Sequence, residues 1–185
     1  MRIIAGSAGG RRLKAPAGSQ TRPTSDRVRE AMFSILGTPP ETCRVLDLFA
    51  GAGTLGLEAW SRGASHVDFC ERNGQALDAL KHNLRSLDAG GETRVHRGDS
   101  IATLKRLAKR DEPYHWIFID PPYATSLADD ALSLLASNEL LTPDGTVIVE
   151  HDRRRAPAEA CGSLVQSDQR RYGDTCIAFY TWSLA

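Results

Sequence analysis

From Arg44 onward, apolar runs of strand length alternate with amphipathic stretches of helical period, and this alternation restricts the fold more than any other feature of the chain. RVLDLF precedes a helix, HVDFC a helix over about Asn73 to Leu87, TRVHRG a helix ending near Lys109, and HWIFID a helix over about Ser126 to Ser137; TVIVEH closes the series. Strands joined through helices pair in parallel, so the pattern predicts a doubly wound, mostly parallel α/β sheet with helices on both faces. The tail departs from it. Residues 163–171 and 174–183 read as two strands joined across Tyr172 and Gly173, close enough in sequence to pair antiparallel. The expected sheet is Rossmann-like and seven-stranded, with an antiparallel C-terminal strand.

Ahead of this pattern lies a stretch of different composition. In 1–40, seven Arg or Lys face two acids, so a net charge of zero divides into +5 before residue 41 and −5 after it. RIIAGSAGGRRLKAP reads as a β-hairpin around the turn Ala8 to Gly10. Thr24 or Ser25 can then cap a helix that starts with Asp26, whose apolar positions are Val28, Met32, Ile35 and Leu36; Arg22, Arg27 and Arg29 are left for loop or solvent. Gly37 and Pro39-Pro40 end that helix and divide a basic extension, 1–40, from the main domain, 41–185. Arg makes up 19 of the 23 basic residues, and a GC-rich genome gives the same excess without function, so the clustering is the informative part.

At 185 residues, 41% hydrophobic and 25% charged, the chain has room for one core and lies far from the compositions of disorder, collagen or membrane bundles. Its apolar runs fall well short of the roughly 20 residues that span a bilayer, and a cytoplasmic monomer is expected. Cys43, Cys70, Cys161 and Cys176 form no CxxC pair and read as buried thiols, while the five histidines lack ligand spacing and read as surface or strand-end residues. Neither disulfide nor metal is expected.

Chemistry gathers at the carboxyl ends of the expected strands. DLFAGAGTLG, residues 47–56, sets Gly51, Gly53 and Gly56 in GxGxxG spacing directly after a strand. Asp47 would repel a dinucleotide's pyrophosphate but attract an ammonium group, as in the methionine part of S-adenosylmethionine. Glu71 follows Gly51 by 20 residues, the interval at which such folds place a carboxylate under ribose hydroxyls. Asp99 can accept from an adenine amino group or cap the next helix. Asp120-Pro121-Pro122-Tyr123 ends the fourth expected strand. An exocyclic amine is a poor nucleophile because its lone pair is delocalised; Asp120 and the Pro121 carbonyl can accept its two N–H groups, and Tyr123 can stack on an extruded base.

With these ordered motifs, the runs RIIAGSAGGRRL, RPTSDRVREAMFSIL, VLDLFAGAGTLGLEAWSRGA, IFIDPPY and YGDT closely resemble the RsmD family of 16S rRNA guanine-N2 methyltransferases over nearly the whole chain. DPPY is shared with adenine-N6 enzymes, so the hairpin and the RPT helix carry the family assignment. Trp60 stands where a smaller residue is expected. The resemblance implies S-adenosylmethionine held by Asp47, Gly51, Gly53, Glu71, Arg72, Asp99 and Ser100, catalysis by Asp120, Pro121 and Tyr123, and ribosomal RNA held by Arg11, Arg12, Arg22, Thr24 and Arg27. The implied partner is the small ribosomal subunit or an assembly intermediate. An adenine-N6 methyltransferase and a catalytically silent assembly factor are the alternatives, and a third RNA-facing candidate is the run Arg153 to Arg155.

Overall fold

The computed structural model describes residues 1–16, 25–110, 112–122 and 125–183. Helices and strands follow in the order α1 (Asp26–Leu36), β1 (Arg44–Asp47), α2 (Thr54–Ser61), β2 (His66–Glu71), α3 (Gly74–Leu87), β3 (Thr93–Arg97), α4 (Ser100–Leu107), β4 (Tyr114–Ile119), α5 (Leu127–Ala136), β5 (Leu141–Asp152), β6 (Ala160–Cys161), β7 (Leu164–Tyr172) and β8 (Thr175–Trp182). They form one sheet of order β3-β2-β1-β4-β5-β8-β7-β6. The first five strands pair in parallel and β8 enters antiparallel against β5. The count is eight rather than seven because the two residues of β6 pair with the start of β7, too short a strand to show in a sequence pattern.

Alternation along each central strand divides the interior into two layers. Val45, Phe69, Trp116, Phe118, Ile148 and Phe179 pack with α1, α2 and α3. Leu46, Ile117, Ile119, Val147, Val149 and Tyr180 pack with α4 and α5. Trp60 lies half-buried at the margin of the first layer and donates through its indole N–H to Glu92 over 3.4 Å, so the larger side chain is accommodated locally. The four cysteines are free, with Cys43, Cys70 and Cys176 buried.

The N-terminal hairpin is present in reduced form. A single antiparallel bridge joins Arg2 and Arg12, and Ile3 N donates to Arg11 O and Gly10 N to Ile3 O. The hairpin is held by α2 as much as by itself. Ile4 and Ala5 N–H donate to the two oxygens of Glu58, and Ala8 N–H donates to Ser61 Oγ. At Gly6, with φ of 84°, a Cβ would stand 1.8 Å from the Ser61 carbonyl oxygen, so only glycine permits the approach.

Ser25 caps α1, its side chain accepting from Val28 N. Val28, Met32 and Phe33 are buried, whereas Ile35 is 42% exposed. Arg29 corrects the expectation of a solvent-facing cation. It is fully buried and donates to Asp26 over 2.7 Å, to the Arg2 carbonyl over 2.7 Å and to Glu58 over 3.4 Å. Three acceptors compensate the lost hydration, which a reading of helical spacing alone does not reveal.

Candidate functional site

The carboxyl ends of the parallel strands carry a row of acids on one face. Asp47, Glu71 and Glu150 lie two residues after Val45, Phe69 and Ile148, and Asp120 lies two after Phe118; alternation therefore turns all four toward the α1–α3 layer. The registers Asp47↔Phe118 and Ile119↔Val149 set three of these positions on the adjacent strands β1, β4 and β5. Open α/β sheets place ligands at this edge.

The glycine turn between β1 and α2 has a divided construction. Gly51 and Gly53 adopt φ of 56° and 86°, which favour glycine, and Gly53 is the N-cap of α2. A Cβ at Gly53 would meet the Leu80 methyl at 2.5 Å, and one at Gly56 would meet the Phe69 ring at 2.3 Å, so these two glycines serve packing. A Cβ at Gly51 would meet nothing within 4 Å. Its face is the open one, where a ligand can approach the backbone.

Two carboxyls brace the turn. Glu71 accepts from Gly51 N over 2.8 Å with one oxygen, and from Arg72 N and Asn73 N with the other, which ties the turn to the start of α3. Asp47 lies beneath the turn, 2% exposed, and accepts from Gly56 N over 2.9 Å. Burial pushes its carboxyl up to about 7, with Glu71 adding to the rise and the Gly56 N–H opposing it. Asp99 caps α4, accepting from Ala102 N, and Ser100 is buried as the first residue of that helix. The alternative of a helix cap, left open by the sequence, is thus occupied in the structure.

Asp120 and Pro121 follow β4, both half-buried beside this turn. Burial, then Glu150, then Asp47 hold the Asp120 carboxyl well above the ordinary carboxylate range. Tyr123 lies outside the described residues, as do Arg22 and Thr24. Of the other expected RNA contacts, Arg11, Arg12 and Arg27 are all exposed. Arg11 donates to the Ser86 carbonyl over 2.6 Å, at the end of α3. Arg153 pairs with Asp174 over 2.9 Å, and Arg154 and Arg155 are exposed.

Several residues of this region escape sequence reasoning. Asn83 accepts from Lys14 N and donates to the carbonyls of Lys14 and Ala52, linking the hairpin to the glycine turn. Glu58 is fully buried within a helix that otherwise reads as apolar, and that misplaced acid is the one signal in the sequence. His66 and His96 lie within 3.2 Å and 2.6 Å of buried Asp68, which also accepts from the Tyr114 hydroxyl. Arg106 lies 3.2 Å from His96 Nδ1, on the side of the ring away from Asp68. Among the described residues no group of three or more His, Cys, Asp or Glu could hold a metal ion.

Comparison with known proteins agrees with this architecture. YlbH of Bacillus subtilis is 42% identical over 180 residues, 97% of this chain and 98% of that protein. Ribosomal RNA small subunit methyltransferase D of Escherichia coli K12 is 36% identical over 152 residues, 82% of this chain and 75% of that protein. The solved structure of yhhF from Escherichia coli superposes with a TM-score of 0.85 at 32% identity, covering 100% of this chain and 99% of that one. The model of the family described as conserved hypothetical protein 95 matches residues 1–181, and the chain belongs to that family, the RsmD family.

Proposed function

We propose that the protein is a ribosomal RNA methyltransferase that transfers a methyl group from S-adenosylmethionine to the exocyclic N2 of a guanine in 16S rRNA, on the small subunit or an assembly intermediate. One observation carries the reading: Asp120 and Pro121 stand at the same sheet edge as the open Gly51 turn, in a chain whose relatives include a small subunit rRNA methyltransferase. The residues fit the donor. Gly51 leaves its backbone open to a ligand, Glu71 presents a half-exposed carboxylate beside it, and Asp99 and Ser100 mark the third strand end. Pyrophosphate is disfavoured there by the four acids of the edge.

S-adenosylmethionine supplies an electrophilic methyl group on a sulfonium. The protein supplies position and acceptors. Asp120 and the Pro121 carbonyl take the two N–H groups of the amine, which directs its lone pair at the methyl carbon, and holding the two groups in line supplies most of the acceleration. Tyr123 stacks on the extruded base. The basic extension 1–40 holds phosphates through Arg11, Arg12, Arg22, Thr24 and Arg27, and it is pinned to the donor site by Asn83.

The deciding experiment incubates the protein with labelled S-adenosylmethionine and small subunits from a strain lacking the enzyme, followed by nucleoside mass spectrometry and mapping of the base. N2-methylguanosine at one 16S position is the expected product. N6-methyladenosine would transfer the assignment to the adenine enzymes, and binding of subunits without transfer would leave an assembly factor.

A further inference from the structure

A second concentration of positive charge lies outside the N-terminal extension. Residues 93–110 carry Arg94, Arg97, Lys105, Arg106, Lys109 and Arg110 against a single acid, Asp99, whereas the remainder of 41–185 holds ten basic residues against twenty acids. All six are exposed. The fold gathers them, because β3 is an edge strand and α4, which starts just after it at Ser100, turns back along the sheet. Arg106, in the last turn of α4, lies 3.2 Å from His96 Nδ1 on β3, so strand and helix end form one margin. Arg97 closes β3 in register with Glu71, the acid that braces the Gly51 turn. The margin therefore begins at the donor edge and runs away from it.

Ordinary structural roles account for part of this charge. Arg on an edge strand discourages pairing with a second sheet, and Lys105 and Arg106 complement the carboxyl end of α4. Neither role calls for Lys109 and Arg110 beyond the helix, or explains why acids, twice as numerous as bases over the rest of 41–185, are missing here. Of the six, only Arg94 pairs with an acid among the described residues, Glu112 over 3.7 Å, and Glu112 is shared with Arg44. Exposed charge of one sign along a continuous margin attracts a polyanion and releases its counterions. A protein partner would need an apolar centre, but the apolar residues beneath this row, Leu104 and Leu107, are buried.

Resting on the methyltransferase reading, we propose that the β3–α4 margin is a second phosphate-binding surface, which holds the backbone of ribosomal RNA beyond the target base. The basic extension holds the same RNA on the side of α2 and α3. The two surfaces flank the acidic donor edge, so phosphates are held on either side of it and kept out of it.

The test measures binding of protein-free 16S rRNA and of small subunits as a function of salt. Arg97→Ala with Lys105→Ala removes two charges from the margin. Arg170→Ala with Arg171→Ala, on β7 toward the opposite margin of the sheet, removes the same charge and serves as control. For the margin variant we expect weaker binding of both ligands and a salt slope lower by roughly 1 to 2 units, with unchanged affinity for S-adenosylmethionine. The control keeps the wild-type slope. A margin variant with a wild-type melting curve and a wild-type slope would overturn the proposal. So would an equal loss in the control, which would put net charge rather than position at work. A loss seen with subunits but not with protein-free RNA would place an acidic protein on the margin and overturn it as well. Salt-dependent RNA binding that the margin variant loses, in a protein that methylates no ribosomal RNA, would support the surface and overturn the methyltransferase reading alone.

Discussion

A carboxyl placed under a glycine turn loses hydration that one backbone N–H only partly replaces, and Asp47 shows the consequence. Its folded value of about 7 lies above its ordinary 3.8, so the folded state holds this proton more tightly than the unfolded chain. The stability this provides is fully present below about pH 4 and is lost as pH rises to about 7. Asp47→Asn keeps an acceptor for Gly56 N and removes the charge. In melting curves of the ligand-free protein, the variant should exceed the wild type above pH 7 and converge with it near pH 4; a gap that is constant with pH would show that burial of the charge is not its cause. The same variant should bind S-adenosylmethionine more weakly, as functional sites carry such conflicts. Asp120 differs in what it serves. Asp120→Ala should slow single-turnover methylation by roughly 10² to 10⁴ while donor affinity stays nearly intact, the range typical of a positioned polar group. An unchanged rate would remove Asp120 from the mechanism.

Elements were legible in the sequence where one physical pattern dominates. The strands Arg44–Asp47, His66–Glu71 and Tyr114–Ile119 are largely buried and read as short, mainly apolar runs, and the helices between them carry caps such as Asn73 and Asp99. Asp47, Gly51, Glu71 and Asp120 were legible because strand ends in this topology converge on one edge. What stayed hidden depends on contacts distant in sequence. Arg29 reads as a surface residue by spacing, yet α1 is sealed to α2 through its pairing with Glu58, 29 residues away, which also holds the hairpin N–H groups of Ile4 and Ala5. Glu150 was equally hidden, since an acid within TVIVEH gives no sign of which neighbour it meets. The buried pair sets an element-scale expectation. Glu58→Ala leaves Arg29 without an anionic partner on that side and the Ile4 and Ala5 N–H groups unsatisfied; it should cost about 3 to 5 kcal/mol in denaturant unfolding. A loss under about 1 kcal/mol would mean that α1 and the hairpin are held by apolar packing alone.

Across the whole molecule the charges are separated: the donor edge is acidic, while the excess of +5 lies in residues 1–40. An acidic cleft favours a sulfonium but repels phosphates, so an RNA strand needs a cationic hold outside it, close enough to deliver one base. We propose that the hairpin meets both conditions. It packs on α2 and α3, Asn83 ties its Lys14 to Ala52 of the glycine turn, and Arg12 makes no ion pair among the described residues. Each phosphate contact that is lost should flatten the dependence of log affinity on log salt by about 0.7 to 0.9. Arg11→Ala with Arg12→Ala should therefore weaken binding to small subunits and lower the salt slope by up to about two units. Affinity for S-adenosylmethionine should remain unchanged, because neither side chain is among the contacts of the glycine turn. Arg11 also donates to the Ser86 carbonyl, so a melting curve of the double variant is needed to separate lost phosphate contact from a loosened α3. A wild-type salt slope in a fully folded double variant would make the hairpin a brace for α2, and the phosphate contacts would then belong to the loop of Arg153 to Arg155, which follows β5 at the same edge of the sheet as Asp120.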